Sequence, residues 1–129
     1  MNTGSQIHDW LGSAQYDLDS AEEMLDSFRY SHCLVMCGNC IDKTVKALWV
    51  KVFEEHPPAK IRLSSLLKGL EIPLDESNID LLAVLSQFMV PVEDPSDWKA
   101  LRQSISKEIA QDYFKRTERF IEWIKPRLR

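Results

Sequence analysis

No run of apolar residues in this chain approaches the ~18–20 that a membrane-spanning helix needs, which argues against an integral helical membrane protein. The opening Met1-Asn2-Thr3-Gly4-Ser5-Gln6 has neither the basic start nor the apolar run of a secretory signal, so the expected location is the cytoplasm. Cysteine is scarce. Cys33, Cys37 and Cys40 are the only three, an odd number confined to one short stretch, which suits a reducing compartment better than a disulfide framework. Histidine is limited to His8, His32 and His56, and none follows. Positive charge is not in excess: the net charge of −4 argues against tight, non-specific binding of nucleic acid by the chain as a whole. No repeat, low-complexity tract or interdomain linker divides the 129 residues, so residues 1–129 read as one domain, long enough for one core and too short for two.

The average charge hides a split. Residues 1–97 carry 7 basic and 16 acidic side chains, and residues 98–129 carry 9 basic and 4 acidic, so a +5 segment follows a −9 body. A basic helix on an acidic body can be the footprint of a phosphate-bearing partner, or it can pack beside the acidic helices or meet them in a symmetric oligomer.

The apolar residues recur at helical steps throughout, and no segment alternates as a strand would. A first helix is expected from about Gln6 to Phe28, with Trp10, Ala14, Leu18, Ala21, Leu25 and Phe28 on its core stripe and Asp17 among the carboxylates of its solvated face. A second, capped by Ser31 and reaching about Glu54, is apolar around most of its circumference, as the centre of a bundle requires. Asn39, Asp42, Lys43 and Lys46 form its narrow polar stripe, and Pro57-Pro58 stop it. A short third helix holds Leu63, Leu66, Leu67 and Leu70, with Gly69 as its C-terminal signal. A fourth, over about Asn78–Met89 after Asp75 or Ser77, presents Ile79, Leu82, Leu85 and Phe88 or Met89. Residues 90–97, with Pro91 and Pro95, read as a loop. The last helix, starting near Ser104 or Ser106, runs to about Ile124 with Ile109, Tyr113, Thr117, Phe120 and Ile124 inward. The expected fold is all-α, an antiparallel up-and-down bundle of four to five helices.

At this level of detail the chain resembles the HEPN family, whose name stands for higher eukaryotes and prokaryotes nucleotide-binding. Trp10, Ala14, Asp17, Leu18 and Ala21 match its opening pattern, and Tyr30 matches the tyrosine before its second helix. Asp42-Lys43-Thr44-Val45-Lys46-Ala47-Leu48 matches a Glu-Lys-Ala-x-Lys-Ala-Leu segment, Pro57-Pro58 and Leu63–Leu70 a proline and leucine-rich piece, and Ser106, Ala110 and Glu122-Trp123-Ile124-Lys125 the closing helix. The resemblance covers nearly the whole chain in order. It implies a helical bundle, commonly a homodimer, often working beside a minimal nucleotidyltransferase-type subunit, with nucleotide or RNA as ligand and toxin–antitoxin roles in some members.

Two departures from the family's pattern bear on chemistry. Its ribonucleases use Arg-x4–6-His near the start of the last helix, whereas here Arg102 is followed by Lys107 and Glu108 and by no histidine. Cleavage by 2′-hydroxyl attack needs a group that passes a proton near neutral pH, usually His. The loop that in many relatives reads Pro-x-Arg-Tyr-Pro-Asp is Pro91-Val92-Glu93-Asp94-Pro95-Ser96-Asp97, with carboxylates where a cation and an aromatic stood, and would repel a phosphate.

Cys33-x3-Cys37-x2-Cys40 has the spacing of radical-SAM cluster ligands, but the chain is too short for that barrel, shows no strands, and has no Gly-rich cofactor loop after the cysteines. At i, i+4 and i+7 of a helix these thiols pack as small hydrophobes, and neither metal nor cofactor is expected. Asp42 and Lys46 form an i, i+4 ion pair, structural by default and functional if it faces a cleft. Tyr113, Lys115, Arg116 and Arg119 are the residues of the last helix best placed to touch a phosphate or an acidic partner. The expectation is therefore a non-enzymatic binding or regulatory module without catalytic residues, whose partner- or nucleotide-binding candidates are Asp42, Lys46, Arg102, Tyr113 and Arg116. The alternatives are a ribonuclease toxin with an altered site and a plain dimerisation scaffold. Trp10, Trp49, Trp98 and Trp123, with Phe114 and Ile121, represent more apolar surface than one small core hides, which favours self-association.

Overall fold

A computed structural model of the protein describes residues 2–89 and 94–129. Among these the chain forms six α-helices and no strand: α1 (Thr3–Asp26), α2 (Tyr30–Phe53), α3 (Leu63–Gly69), α4 (Glu76–Ser86), α5 (Pro95–Gln103) and α6 (Lys107–Ile124), followed by a 3-10 turn over Lys125–Leu128. The all-helical expectation holds, and α2 is the central rod, in contact with α1, α3, α4 and α6. Its Leu34, Ile41, Val45 and Val50 are fully buried, together with Cys33, Cys37 and Cys40, so the three thiols lie inside the core.

Helix starts follow capping chemistry. Asn2, Asp75, Asp94 and Ser106 each accept a backbone N–H of the first turn, from Ser5 (3.0 Å), Asn78 (2.8 Å), Ser96 (2.9 Å) and Ile109 (3.2 Å). The expected caps at Asp75 and Ser106 are thus found. Ser31 is not a cap. The helix begins at Tyr30, two residues earlier than a cap at Ser31 implies, behind Arg29, and Ser31 is buried in its first turn.

Helix α5 corrects the loop reading of residues 90–97. Residues 90–93 lie outside the described residues, but Pro95 opens a helix. A proline at the first helical position loses only an N–H that would have had no acceptor, and its φ already suits the helix, so Asp94-Pro95 is a start signal rather than a break.

The core stripes are rotated in three places. Ile79 is 54% exposed while Leu81 is buried, so α4 turns Leu81, Leu82 and Leu85 inward. On α6, Ala110, Phe114, Thr117, Phe120, Ile121 and Ile124 are buried, whereas Ile109 is exposed. Phe114 and Ile121 are therefore core residues, not spare apolar surface. Asp17, placed on the solvated face by its charge, is buried with its Oδ2 2.7 Å from Lys43 Nζ of α2, an ion pair by distance that lacks a directed hydrogen bond.

Phe28 is not on the α1 stripe either. The helix ends at Asp26, and Phe28 takes a left-handed conformation (φ 63°) with 75% exposure. Its N–H donates to Leu25 (3.2 Å) and that of Arg29 to Met24 (2.8 Å), the bonds of a Schellman stop. Three residues, 27–29, then turn the chain so that α2 runs back along α1. Glu71 (φ 55°) closes α3 in the same way, through Glu71 N–H to Lys68 and Ile72 N–H to Leu67. Gly69, expected as that signal, sits inside the helix for a steric reason: a Cβ there would lie 2.9 Å from Trp49 Cζ3. Because a left-handed phenylalanine is strained and exposed, Phe28→Gly should stabilise the fold by about 1 kcal/mol, raising the thermal midpoint by a few degrees. Calorimetry checks this, and a lower midpoint would show that the Phe28 ring contributes packing that outweighs the strain.

Candidate functional site

The polar stripe of α2 serves two neighbours. Lys43 turns to α1 and Asp17, whereas Asn39, Asp42 and Lys46 face a cleft of about 850 Å³ between α2, the segment entering α3, and α4. The expected ion pair forms, with Lys46 Nζ 2.7 Å from Asp42 Oδ2 and both side chains three-quarters or more buried. The ammonium also lies 5.4 Å from the ring centroid of Trp10 on α1, a cation–π contact that fixes its position. The opposite wall is Lys60, Ile61, Arg62, Leu63 and Ser64, and the α4 side supplies Ala83, Ser86, Gln87 and Met89. Ser86 donates its hydroxyl to the Leu82 carbonyl at 2.6 Å, so toward the cleft it presents an acceptor.

The charge balance of this cleft follows from those contacts. Among the described residues Asp42 is the one carboxylate of the lining and Lys46 neutralises it, which leaves Lys60 and Arg62 there as cations without an ion-pair partner. Ile61, Leu63 and Met89 provide apolar wall, and Asn39, Ser64 and Gln87 provide hydrogen-bonding groups. Volume, apolar wall and a few convergent polar groups are the features of a small-ligand site. Lys60 and Arg62 were not among the residues singled out from the sequence. Lys60 sits in a turn with left-handed backbone (φ 57°) and Arg62 in the extended residue that precedes α3, so no local periodicity pairs the two, and the fold alone brings them to one cleft.

The structure does not bring the other sequence-derived candidates to this cleft. Tyr113 and Arg116 of α6 both bind Asp80 of α4: the Tyr113 hydroxyl donates to Asp80 Oδ2 at 2.9 Å and Arg116 Nη1 to the same oxygen at 2.7 Å. Arg116 also pairs with Asp112 (3.2 Å) and lies 5.0 Å from the Tyr113 ring centroid. Partial burial, then the Asp80 carboxylate, raises the Tyr113 pKa above its ordinary value. Two side chains expected to touch a phosphate are thus held in a clasp that pins α4 to α6. Lys115 and Arg119 stand exposed beside it. Arg102, near the end of α5, lies elsewhere again, beside the first turn of α2.

The described residues thus form an all-helical domain with one half-apolar cleft rimmed by cations. The family model for the HEPN domain matches residues 7–127, nearly the whole chain, and the chain belongs to the HEPN family. No curated protein and no solved structure matches it. No helix among the described residues is long and apolar enough to cross a membrane.

Proposed function

We propose that the protein is a non-catalytic HEPN-type module that binds a nucleotide in the α2–α3–α4 cleft and acts as a cytoplasmic homodimer beside a minimal nucleotidyltransferase-type partner. The observation that carries the reading is the pair Lys60 and Arg62, without an ion-pair partner among the described residues, facing the Asp42–Lys46 pair across a cleft of nucleotide size. Cations supply the attraction for phosphate, Ile61, Leu63 and Met89 an apolar surface for a base, and Asn39 and Gln87 donors and acceptors for its edge. The absence of any histidine beyond residue 56 supports a role in binding rather than in proton transfer.

The scaffold behind this reading is an antiparallel up-and-down bundle, supported by the tight turn between α1 and α2. Dimerisation is supported by the exposed Tyr16, Phe28, Val52, Phe53, Ile79 and Ile109 rather than by Trp49, Trp98 and Trp123, which pack partly against the core, or by Trp10, which is half-buried under Lys46. Calorimetric titration with adenine and guanine nucleotides tests the binding. Saturable binding is expected, with Lys60→Ala and Arg62→Ala each weakening it about tenfold, the value of one charge-assisted contact. Equal affinity in the double variant would refute the cleft as the site, and cleavage of added RNA by the purified protein would refute the non-catalytic reading.

A further inference from the structure

Two lysine–aspartate pairs stand on the polar stripe of α2, and they serve different ends. Lys43 reaches Asp17 across the α1–α2 contact and joins those two helices. Lys46 pairs with Asp42 one turn away on the same helix, and both line the α2–α3–α4 cleft. The Lys46 ammonium therefore meets whatever enters there.

Lys46 is held from two sides. A lysine head group on its flexible stem ordinarily samples many positions, and ordering it when a ligand arrives costs entropy. Here the ammonium lies 2.7 Å from Asp42 Oδ2 and 5.4 Å from the Trp10 ring centroid, and the side chain is three-quarters buried. A carboxylate and an aromatic face thus fix the charge in place before any ligand binds. An ammonium carries three N–H donors, more than one carboxylate oxygen uses, so donors remain for an occupant.

A divalent cation does the same in many nucleotide sites: it is seated on a protein carboxylate and bridges to phosphate oxygens. Asp42 is the carboxylate such an ion would need, and among the described residues the cleft lining has no other. Lys46 already occupies it. We infer, resting on the nucleotide reading proposed above, that Lys46 is the resident cation of the cleft. Fixed by Asp42 and Trp10, it contacts the phosphate in the place of a bridging metal, and the nucleotide is bound without one. Trp10 touches no ligand and acts through Lys46, as a positioning residue.

The test is calorimetric titration of the full chain with AMP, in EDTA and in excess magnesium. The wild-type protein should bind AMP equally in both. Lys46→Met removes the charge and should weaken AMP about tenfold in EDTA, the value of one charge-assisted contact. Magnesium should recover most of that loss by seating on the vacated Asp42. The double variant Asp42→Asn, Lys46→Met has no carboxylate to seat the ion and should be equally weak in both buffers. Trp10→Leu should weaken AMP about threefold, and Trp10→Phe, which keeps an aromatic face, should weaken it less. Trp10→Phe no better than Trp10→Leu would take the positioning role from Trp10. Binding that requires magnesium in the wild-type protein, a result that needs no variant to fold, would overturn the resident cation and leave the cleft a nucleotide site. Wild-type affinity of Lys46→Met in EDTA, or a magnesium response as large in the double variant, would overturn it too. No saturable binding of AMP in either buffer would remove the nucleotide reading itself, and the role of Lys46 with it.

Discussion

Between about pH 9 and pH 12 the folded protein should lose about 4 kcal/mol of stability through one thiol, that of Cys40. Cys40 lies in the core against α1, and its pKa is pushed up from 9.0 to about 12, first by burial and then by the neighbouring Cys37, against a smaller opposing hydrogen bond with Thr44. In the unfolded chain the thiol ionises near its ordinary value, so above that pH the unfolded state has given up a proton that the native state still holds. Stability is therefore fully present below about pH 9 and falls by about 1.4 kcal/mol per pH unit until the folded thiol itself ionises. Cys37 is displaced in the same direction by its hydrogen bond with Cys33 and by burial, while Cys33 is lowered by that same bond and offsets part of the effect. Tyr113 adds in the destabilising sense, since burial and Asp80 raise it as well. Since typical domains are stable by only about 5–15 kcal/mol, a loss of this size should make alkaline unfolding visible within that pH window. Urea denaturation at stepped pH measures it. Cys40→Ala should flatten the slope by about 1.4 kcal/mol per pH unit, and an equal slope in that variant would remove Cys40 as the cause. A thiol reagent at pH 8 should find the three cysteines inert until the protein is denatured, because buried sulfurs are out of its reach.

The buried thiols also show how far the sequence could be read. Their i, i+4, i+7 spacing on an almost wholly apolar helix identified the central rod without any knowledge of its neighbours, and α2 has that place. Periodicity was less able to fix the rotation of a helix with apolar residues on several faces. Ile79 and Leu81, or Ile109 and Ala110, differ in burial because of what lies opposite, and that is set by tertiary packing. The proline rule failed at Pro95 since the residue was weighed as a breaker, whereas Asp94 before it made it a first-turn residue. Of the candidate site, the local pair was legible: Asp42 and Lys46 are one turn apart on one helix, and they meet at 2.7 Å. The long-range partners were not. Nothing local to Tyr113 and Arg116 points to Asp80, 33 and 36 positions away, nor does Arg102 announce that α5 will carry it to the start of α2. Charged residues look free in a sequence, and their availability is decided by what the fold sets beside them.

That difference between core and attachment gives the second large effect. Phe120→Ala should destabilise the protein by about 3–5 kcal/mol, and lower the thermal midpoint by roughly 10–20 °C, because the ring is 1% exposed and packs edge-on against Trp123 at 5.6 Å between α6 and the central rod. Truncation there removes both the buried surface and the contacts of every atom lining the resulting cavity. Trp98→Ala removes a larger side chain yet should destabilise the protein by only about 1 kcal/mol, since α5 contributes no buried residue and is held through the half-buried Trp98, Leu101 and Ile105. Its effect is local. Amides of α5 should show faster hydrogen exchange while those of α2 and α6 do not. If Trp98→Ala instead lowers the midpoint as far as Phe120→Ala, then α5 is part of the cooperative core and cannot open independently of it.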